Sequence, residues 1–97
     1  MSKLTSIGHL GSFYGNVVAG ADMCAQFKAD MAIEHPTMEW MGIRKIAIET
    51  TPGTVIAING IDIVVPSTGI IELGFDFVII ETLVFQSAVA ANIVYFW

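Results

Sequence analysis

The fold of this chain is decided by residues 54–65, TVIAINGIDIVV, in which two apolar runs flank an Asn-Gly pair. Asn59 and Gly60 both tolerate positive φ, so they fit a two-residue type I′ turn whose twist matches that of antiparallel strands. The segment therefore predicts a β-hairpin, with one strand over Thr54–Ile58 and the other over Ile61–Val65.

Short apolar runs separated by turn residues continue on both sides of this hairpin. Thr51–Gly53 precedes it and Pro66–Gly69 follows it, and both stretches have the composition of tight turns. The remaining predicted strands, which are rich in β-branched and aromatic residues, cover Ile43–Glu49, Ile70–Leu73, Phe75–Glu81, Leu83–Phe85 and Asn92–Trp97. This spacing predicts a mainly β fold, a small antiparallel β-sandwich or barrel over about residues 42–97.

The first 41 residues have a different character and lack a sustained period. His9–Asn16 is punctuated by glycines and predicts a loop or a short irregular strand. Apolar residues at helical spacing, with Asp22 as a candidate N-cap, predict a short helix across Asp22–Ile33, although the same residues also suit an extended arm laid across a neighbour. We therefore expect residues 1–41 to form an irregular N-terminal arm that packs on a neighbouring molecule, and residues 42–97 to form the β-domain.

The composition is unusually apolar for a chain of 97 residues. Hydrophobic residues make up 55% and charged residues 13%, with a mean hydropathy of +0.72, whereas an ordinary soluble domain has a charged share of about 25%. A small domain has too little interior to hide so many apolar side chains, and large exposed apolar patches are rare on monomers. The excess therefore predicts contact with other protein subunits.

Charge and segment lengths argue against two kinds of partner, although a membrane-associated peptide stays a third hypothesis beside an assembly subunit and a binding module. The net charge of −5 leaves no cationic footprint for nucleic acid. The longest charge-free run, Thr82–Trp97, is shorter than the about 20 residues of a spanning helix and has no basic flank. The first residues also lack the apolar core of a secretory signal. We expect neither a nucleic-acid nor a membrane partner, and a cytosolic origin.

No group of residues has the spacing of a catalytic or metal site. Cys24 lies between Met23 and Ala25 and is interpreted as a small buried hydrophobe. His35 and Glu39 are four positions apart, but Pro36 interrupts the helix that would bring them together as metal ligands. Acidic residues of the β half are interpreted as a solvated rim that keeps an assembly soluble, in preference to a cation site: Asp62, Glu72, Asp76 and Glu81. The sequence therefore predicts no enzyme, no cofactor and no metal.

Large apolar residues near the C-terminus and before the first β-strand are the candidate contact residues. We predict an interface formed by Phe85, Tyr95, Phe96, Trp97, Met38 and Trp40, because aromatic residues are enriched at protein interfaces. The same aromatic cluster also suits a platform for a ring-shaped ligand, as in a ligand- or carbohydrate-binding module.

Several stretches of the β half have a pattern found in a known group of proteins. Residues 51–60 (TPGTVIAING), 66–73 (PSTGIIEL) and 79–85 (IIETLVF), followed by an aromatic strand, resemble small structural proteins of tailed bacteriophages, especially those of low-GC Gram-positive hosts. The resemblance covers residues 46–97 and departs from the pattern at Glu81-Thr82-Leu83, where a Thr-Ser-Leu-like sequence is expected. The N-terminal half lies outside it.

The resemblance implies a virion component, assembled in the host cytoplasm. It favours a capsid accessory protein, that is, a decoration or cement protein, which covers capsomer junctions with little mass. The alternative is a tail, neck or baseplate subunit. Either role implies that the partners are other virion structural proteins and further copies of the chain in a homo-oligomer.

Overall fold

The computed structural model describes residues 10–74 and 79–97, and within them the chain is mainly β with one helix. The elements in chain order are β1 (Leu10–Asn16), α1 (Met23–Glu34), β2 (Lys45–Thr50), β3 (Val55–Ile58), β4 (Ile61–Val64), β5 (Ile70–Gly74), β6 (Leu83–Phe85) and β7 (Ala90–Phe96). The predicted fold class is confirmed.

The strands form two antiparallel sheets in a sandwich-like arrangement. The four-stranded sheet has the order β1-β7-β2-β5, and the three-stranded sheet has the order β4-β3-β6. Strand β7, the last in the chain, therefore lies between β1 and β2. Buried residues of both sheets and of α1 belong to a single hydrophobic core, so the two sheets and the helix stabilise one another.

The hairpin predicted from the Asn-Gly pair is confirmed as β3 and β4. Asn59 has a φ of 51° and Gly60 a φ of 82°, and the strands pair in register from Ile58 opposite Ile61 outward. Positive φ at both turn positions is what a type I′ turn requires. The hairpin therefore forms at the position where the sequence signal is strongest.

Residues 10–41 are part of the same fold as the β half. Strand β1 pairs antiparallel with β7 along its whole length, from Leu10 opposite Phe96 to Asn16 opposite Ala90. Helix α1 buries four side chains in the shared core: Met23, Cys24, Phe27 and Met31. The boundary expected at residue 41 thus does not separate two packed units in the described residues, and this segment packs on its own chain.

The residues at each end of helix α1 explain where it begins and ends. The Asp22 side chain accepts a hydrogen bond from the Cys24 backbone N–H at 3.0 Å, which satisfies one of the free donors of the first turn. At the other end, His35 precedes Pro36, and a residue before proline disfavours the helical conformation. The helix runs one residue beyond the predicted Ile33.

The interior of the four-stranded sheet follows the strand alternation. Ile46 and Ile48 of β2 and Ile93 and Tyr95 of β7 are all buried, because successive side chains on a strand point to opposite faces. The ring of Phe27 stacks on that of Tyr95 at a centroid distance of 4.2 Å and an interplanar angle of 13°. Helix α1 is thereby held against the inner face of this sheet.

Three predicted strands differ from the observed ones by two residues or more, and one of them is β7, which begins at Ala90 and not at Asn92. Strand β2 begins at Lys45, and Ile43 instead forms an isolated bridge with Ile80.

The strand predicted over Phe75–Glu81 falls partly on residues 75–78, which lie outside the described residues. The last three residues of that range form the isolated bridge at Ile80 and hydrogen bonds with Asn59. They are not part of a longer strand.

Candidate functional site

Within the described residues, the outer face of the four-stranded sheet is one of the surfaces on which large apolar side chains are exposed. Residues directly opposite one another in antiparallel strands lie on the same face, so the register defines this surface as three rows that run across β1, β7, β2 and β5. The first row is Leu10, Phe96, Lys45 and Gly74; the second is Ser12, Val94, Ala47 and Glu72; the third is Tyr14, Asn92, Glu49 and Ile70. These twelve residues are called the outer face below.

Large apolar side chains on the outer face are exposed. Tyr14 is 85% exposed and Leu10 is 62% exposed, and Phe96 and Ile70 are close to half exposed. These four come from β1, β7 and β5, whereas β2 between β7 and β5 contributes Lys45, Ala47 and Glu49. A solvent-facing side of an antiparallel sheet is ordinarily polar, so this face has the composition of a contact surface.

The outer face contains two shallow depressions above strand β2. The larger has a volume of about 310 Å³ and lies between the Phe96 and Lys45 side chains, over Ala47 and Gly74. The second, of about 190 Å³, lies between Ala47 and Ile70. Ala47 of the inner strand β2 lines both depressions, and Gly74 of the edge strand β5 lines the larger one. Both depressions provide space for side chains of a docking partner.

The predicted contact residues fall into three groups in the structure. Phe85 and Tyr95 have no exposed surface and Trp97 is only 6% exposed, so these side chains face the chain's own core and not a neighbour. Phe96 alone among the C-terminal aromatic residues lies on the outer face. The physical reason is the alternation of β7, which directs Tyr95 and Trp97 inward and Phe96 outward.

Met38 and Trp40 are partly buried against the core. Trp40 lies 5.2 Å from Trp97 and 6.4 Å from Tyr95, measured between ring centroids. His35 also approaches Trp97, at 5.8 Å. The aromatic residues near the C-terminus and around residue 40 thus form one packed group within the chain, at the side of the sheet covered by the helix.

Sequence reasoning identified Phe96 but missed the other three exposed large apolar residues of the outer face: Leu10, Tyr14 and Ile70. The spacing of Leu10 and Tyr14, four residues apart with Ser12 between them, is the alternation of a strand. The glycines at positions 11 and 15 obscured that signal, since glycine is depleted in strands. Ile70 was included in a predicted strand, but its outward direction depends on the pairing of β5 with β2.

The cysteine has the environment of a core residue. Cys24 is buried, and its Sγ lies 4.0 Å from the backbone oxygen of Ile80. Burial, together with the nearby Asp22 carboxylate, raises the pKa of the thiol from 9.0 to about 12. A nucleophilic cysteine requires a lowered pKa, so this side chain is unsuited to covalent catalysis.

Candidate metal ligands do not converge in the described part of the chain. Within residues 10–74 and 79–97, no group of three or more histidine, cysteine and acidic side chains is arranged to hold a metal ion. Of the four acidic residues considered as a rim, Asp62 lies in β4 and Glu72 in β5, which belong to different sheets. Asp76 lies outside the described residues.

Across residues 10–74 and 79–97, no helix has the length and hydropathy to span a bilayer. Comparison with known proteins found no match to this chain among protein-family models, curated proteins or solved structures.

Proposed function

We propose that the chain is a structural subunit of a virus particle, most specifically a capsid accessory protein of the decoration or cement type, which acts through subunit–subunit contacts. The observation that carries this proposal is the exposed apolar outer face, with Tyr14 and Leu10 among its most exposed members. Covering apolar surface stabilises a contact by about 25 cal/mol per Å². A subunit that carries such a face on a small domain is suited to assembly.

The choice of a virus particle rests on the sequence pattern of residues 46–97, which resembles that of small structural proteins of tailed bacteriophages. In the structure those residues form β3 to β7 and nearly all of β2. They therefore supply eight of the twelve outer-face positions, while β1 adds Leu10, Ser12 and Tyr14 and the start of β2 adds Lys45. A decoration protein assembled in the host cytoplasm would use this face for subunit contacts in the particle. A tail, neck or baseplate subunit would use the same face, and the experiment below separates these locations.

The main rival from another functional class is a ligand- or carbohydrate-binding module with an aromatic platform. Such a platform needs aromatic rings exposed in a concave site. Tyr95 and Trp97, the residues considered for that role, are buried in the chain's own core. Phe96 is exposed, but its neighbours on the outer face are aliphatic or charged. The arrangement favours an assembly subunit over this module.

The test is to isolate virus particles from cells that carry the encoding gene and to separate them on a density gradient. We expect the chain to co-sediment with intact particles in a fixed ratio to the major capsid protein. Separation of heads from tails then assigns its location, and release from heads without loss of the capsid shell identifies an accessory protein. Recovery of the chain only in the soluble fraction would contradict the proposal.

A further inference from the structure

The outer face is divided into two halves of different chemistry. The half formed by β1 and β7 has no charged side chain, and its members are Leu10, Ser12, Tyr14, Asn92, Val94 and Phe96. The half formed by β2 and β5 carries all three charges of the face, Lys45, Glu49 and Glu72, and also its smallest residues. An uncharged half thus lies beside a charged half, and residues of both halves line the two depressions.

We propose that the outer face binds the outer face of a second copy of this chain, around a two-fold axis that runs parallel to the strands between β7 and β2. In this arrangement β1 of one copy lies over β5 of the other, and β7 lies over β2. Sheets that pack face to face keep their strands within about 30° of each other at a separation of about 10 Å. Each row of one outer face therefore lies over the same row of the other near the axis.

The arrangement matches side chains by size. Leu10 faces Gly74 of the second copy, and Val94 faces Ala47. The larger depression, over Ala47 and Gly74, receives these side chains. Tyr14 faces Ile70 of the second copy, so two of the exposed apolar residues cover each other.

The arrangement also matches charge. Each charged residue faces an uncharged polar or aromatic one: Lys45 faces Phe96, Glu49 faces Asn92, and Glu72 faces Ser12. A cation over an aromatic ring and a carboxylate opposite a hydroxyl or amide are both favourable. No like charges are placed directly opposite each other.

A two-fold axis perpendicular to the strands would produce different contacts, among them two Lys45–Glu49 pairs of opposite charge. It would place Glu72 opposite Glu72 of the second copy, and like charges in direct opposition are destabilising. It would also place Ser12 opposite Ser12. The two axes therefore differ in a pair of contacts that can be measured.

The size of the face sets the expected strength of the pair. Four strands about 4.8 Å apart and five residues of about 3.3 Å each span roughly 300 Å², against about 800 Å² per partner in a standard stable interface. We therefore expect a reversible dimer with a dissociation constant between about 10 μM and 1 mM. Association of this strength is reinforced when many copies are held on one particle.

This inference names the partner for the subunit contacts of the proposed function and to that extent rests on it. The two are tested separately, because self-association is measured with the purified chain and particle association with isolated virions. Failure of either measurement leaves the other interpretable.

The first experiment is sedimentation equilibrium of the full chain over a concentration series up to about 1 mM, a range set by the expected affinity. We expect a reversible monomer–dimer equilibrium. A monomer at every concentration would overturn the proposal.

The second experiment changes the sign of charge at Ser12, which is exposed and faces Glu72 of the second copy. The Ser12→Lys chain should dimerise more tightly and the Ser12→Glu chain less tightly, with about a tenfold difference in dissociation constant, because each dimer contains the contact twice. The matched controls are Ser87→Lys and Ser87→Glu, at an exposed position between β6 and β7. These two control variants make the same changes in net charge, and their dissociation constants should differ little.

The third measurement is a cross-linking test that is independent of affinity. Chains with Ser12→Cys and Glu72→Cys are mixed and treated with a bifunctional thiol reagent that spans about 8 Å, because the facing sheets lie about 10 Å apart and a direct disulfide needs Cα atoms within about 7 Å; buried Cys24 is present in both chains. We expect the mixed cross-link, because Ser12 of the two copies is three strand spacings, about 14 Å, apart along the sheet. A Ser12→Cys homodimer in its place, or equal dissociation constants for the two Ser12 charge variants, would overturn the proposed axis.

Discussion

The ring of Tyr95 lies directly over Gly11, its cross-strand partner in the four-stranded sheet. A Cβ atom added at Gly11 would overlap the Tyr95 ring. The glycine therefore has a packing role: it lets β1 approach β7 while the aromatic ring that supports helix α1 stays in the core. Edge-strand glycines are stabilised in this way when an aromatic side chain covers them.

Replacement of Gly11 by alanine should destabilise the fold by about 1–3 kcal/mol, because the added methyl group overpacks a site with no free space. Urea denaturation followed by circular dichroism measures the change. Gly74→Ala is a matched control in another strand of the same sheet, where the nearest atom to an added Cβ is Lys45 Cγ at 3.4 Å. Equal effects at both positions would show that loss of glycine itself, and not the Tyr95 contact, is responsible.

Asp22 joins the start of helix α1 to strand β6. Its Oδ1 atom accepts hydrogen bonds from the backbone N–H groups of Cys24 and Leu83, each at 3.0 Å. Asp22→Ala should lower the free energy of unfolding by about 2–3 kcal/mol, since it removes a helix cap and leaves the Leu83 donor without this acceptor. Asp22→Asn keeps an oxygen at the same position and should cost less than about 1 kcal/mol. Similar losses for the two variants would indicate that charge, and not the acceptor, matters.

Asn59 connects the β3–β4 turn to the chain segment before β6. Its Oδ1 accepts from the backbone N–H groups of Glu81 at 2.7 Å and Thr82 at 3.2 Å, and its Nδ2 donates to the Ile79 oxygen at 2.9 Å. Asn59→Gly preserves the positive φ of the turn but removes these bonds. Amide hydrogen exchange should therefore accelerate at Glu81 and Thr82 while the hairpin amides stay protected. Faster exchange throughout the hairpin would show that the side chain mainly supports the turn.

Alkaline pH should destabilise the fold. Burial raises the pKa of Cys24 from 9.0 to about 12 and that of Tyr95 from 10.0 to about 12, in each case with a further contribution from nearby acidic groups. The folded chain therefore keeps protons that the unfolded chain releases, so this contribution to stability is complete below pH 9 and declines as the pH rises toward 12. This loss of stability is measured as the change in urea midpoint from about pH 8 to about pH 11, a range set by the pKa values of the unfolded and folded chain.

Cys24→Ala is the control for that pH series. It removes one of the two titrating groups, so its loss of stability between pH 9 and pH 10 should be smaller than that of the parent chain. A parallel decline in both chains over this interval would assign the effect to other groups. The parent thiol should also react slowly with iodoacetamide at pH 8 until urea unfolds the chain.

The sequence predicts the features of this fold that depend on neighbouring residues. The Asn59-Gly60 hairpin and the inward positions of Ile46 and Ile48 follow from turn chemistry and alternation. For β1, the sequence leaves a loop and a short irregular strand as alternatives, because its glycines suit either, and its partner strand lies about eighty residues away along the chain. The pairing of distant strands leaves no local trace in one sequence.

The candidate site was only partly predictable for the same reason. Alternation in β7 separates Phe96 from Tyr95 and Trp97, but both sets are apolar, and hydropathy alone does not indicate which faces the core. Only the packing of α1 on Tyr95 decides the direction. The excess of apolar residues predicts a contact surface, whereas the position of that surface on β1, β7 and β5 depends on the strand order.

The central position of β7 has a consequence for synthesis on the ribosome. Strands β1 and β2 emerge early but are joined only through β7, so the four-stranded sheet stays incomplete until residues 90–96 leave the exit tunnel. Until then, the nascent chain presents two strands with unpaired edges and an unsupported helix face. Such species are prone to association with other chains. Because this central strand follows all the others in sequence, the four-stranded sheet is completed only after the whole domain has left the exit tunnel.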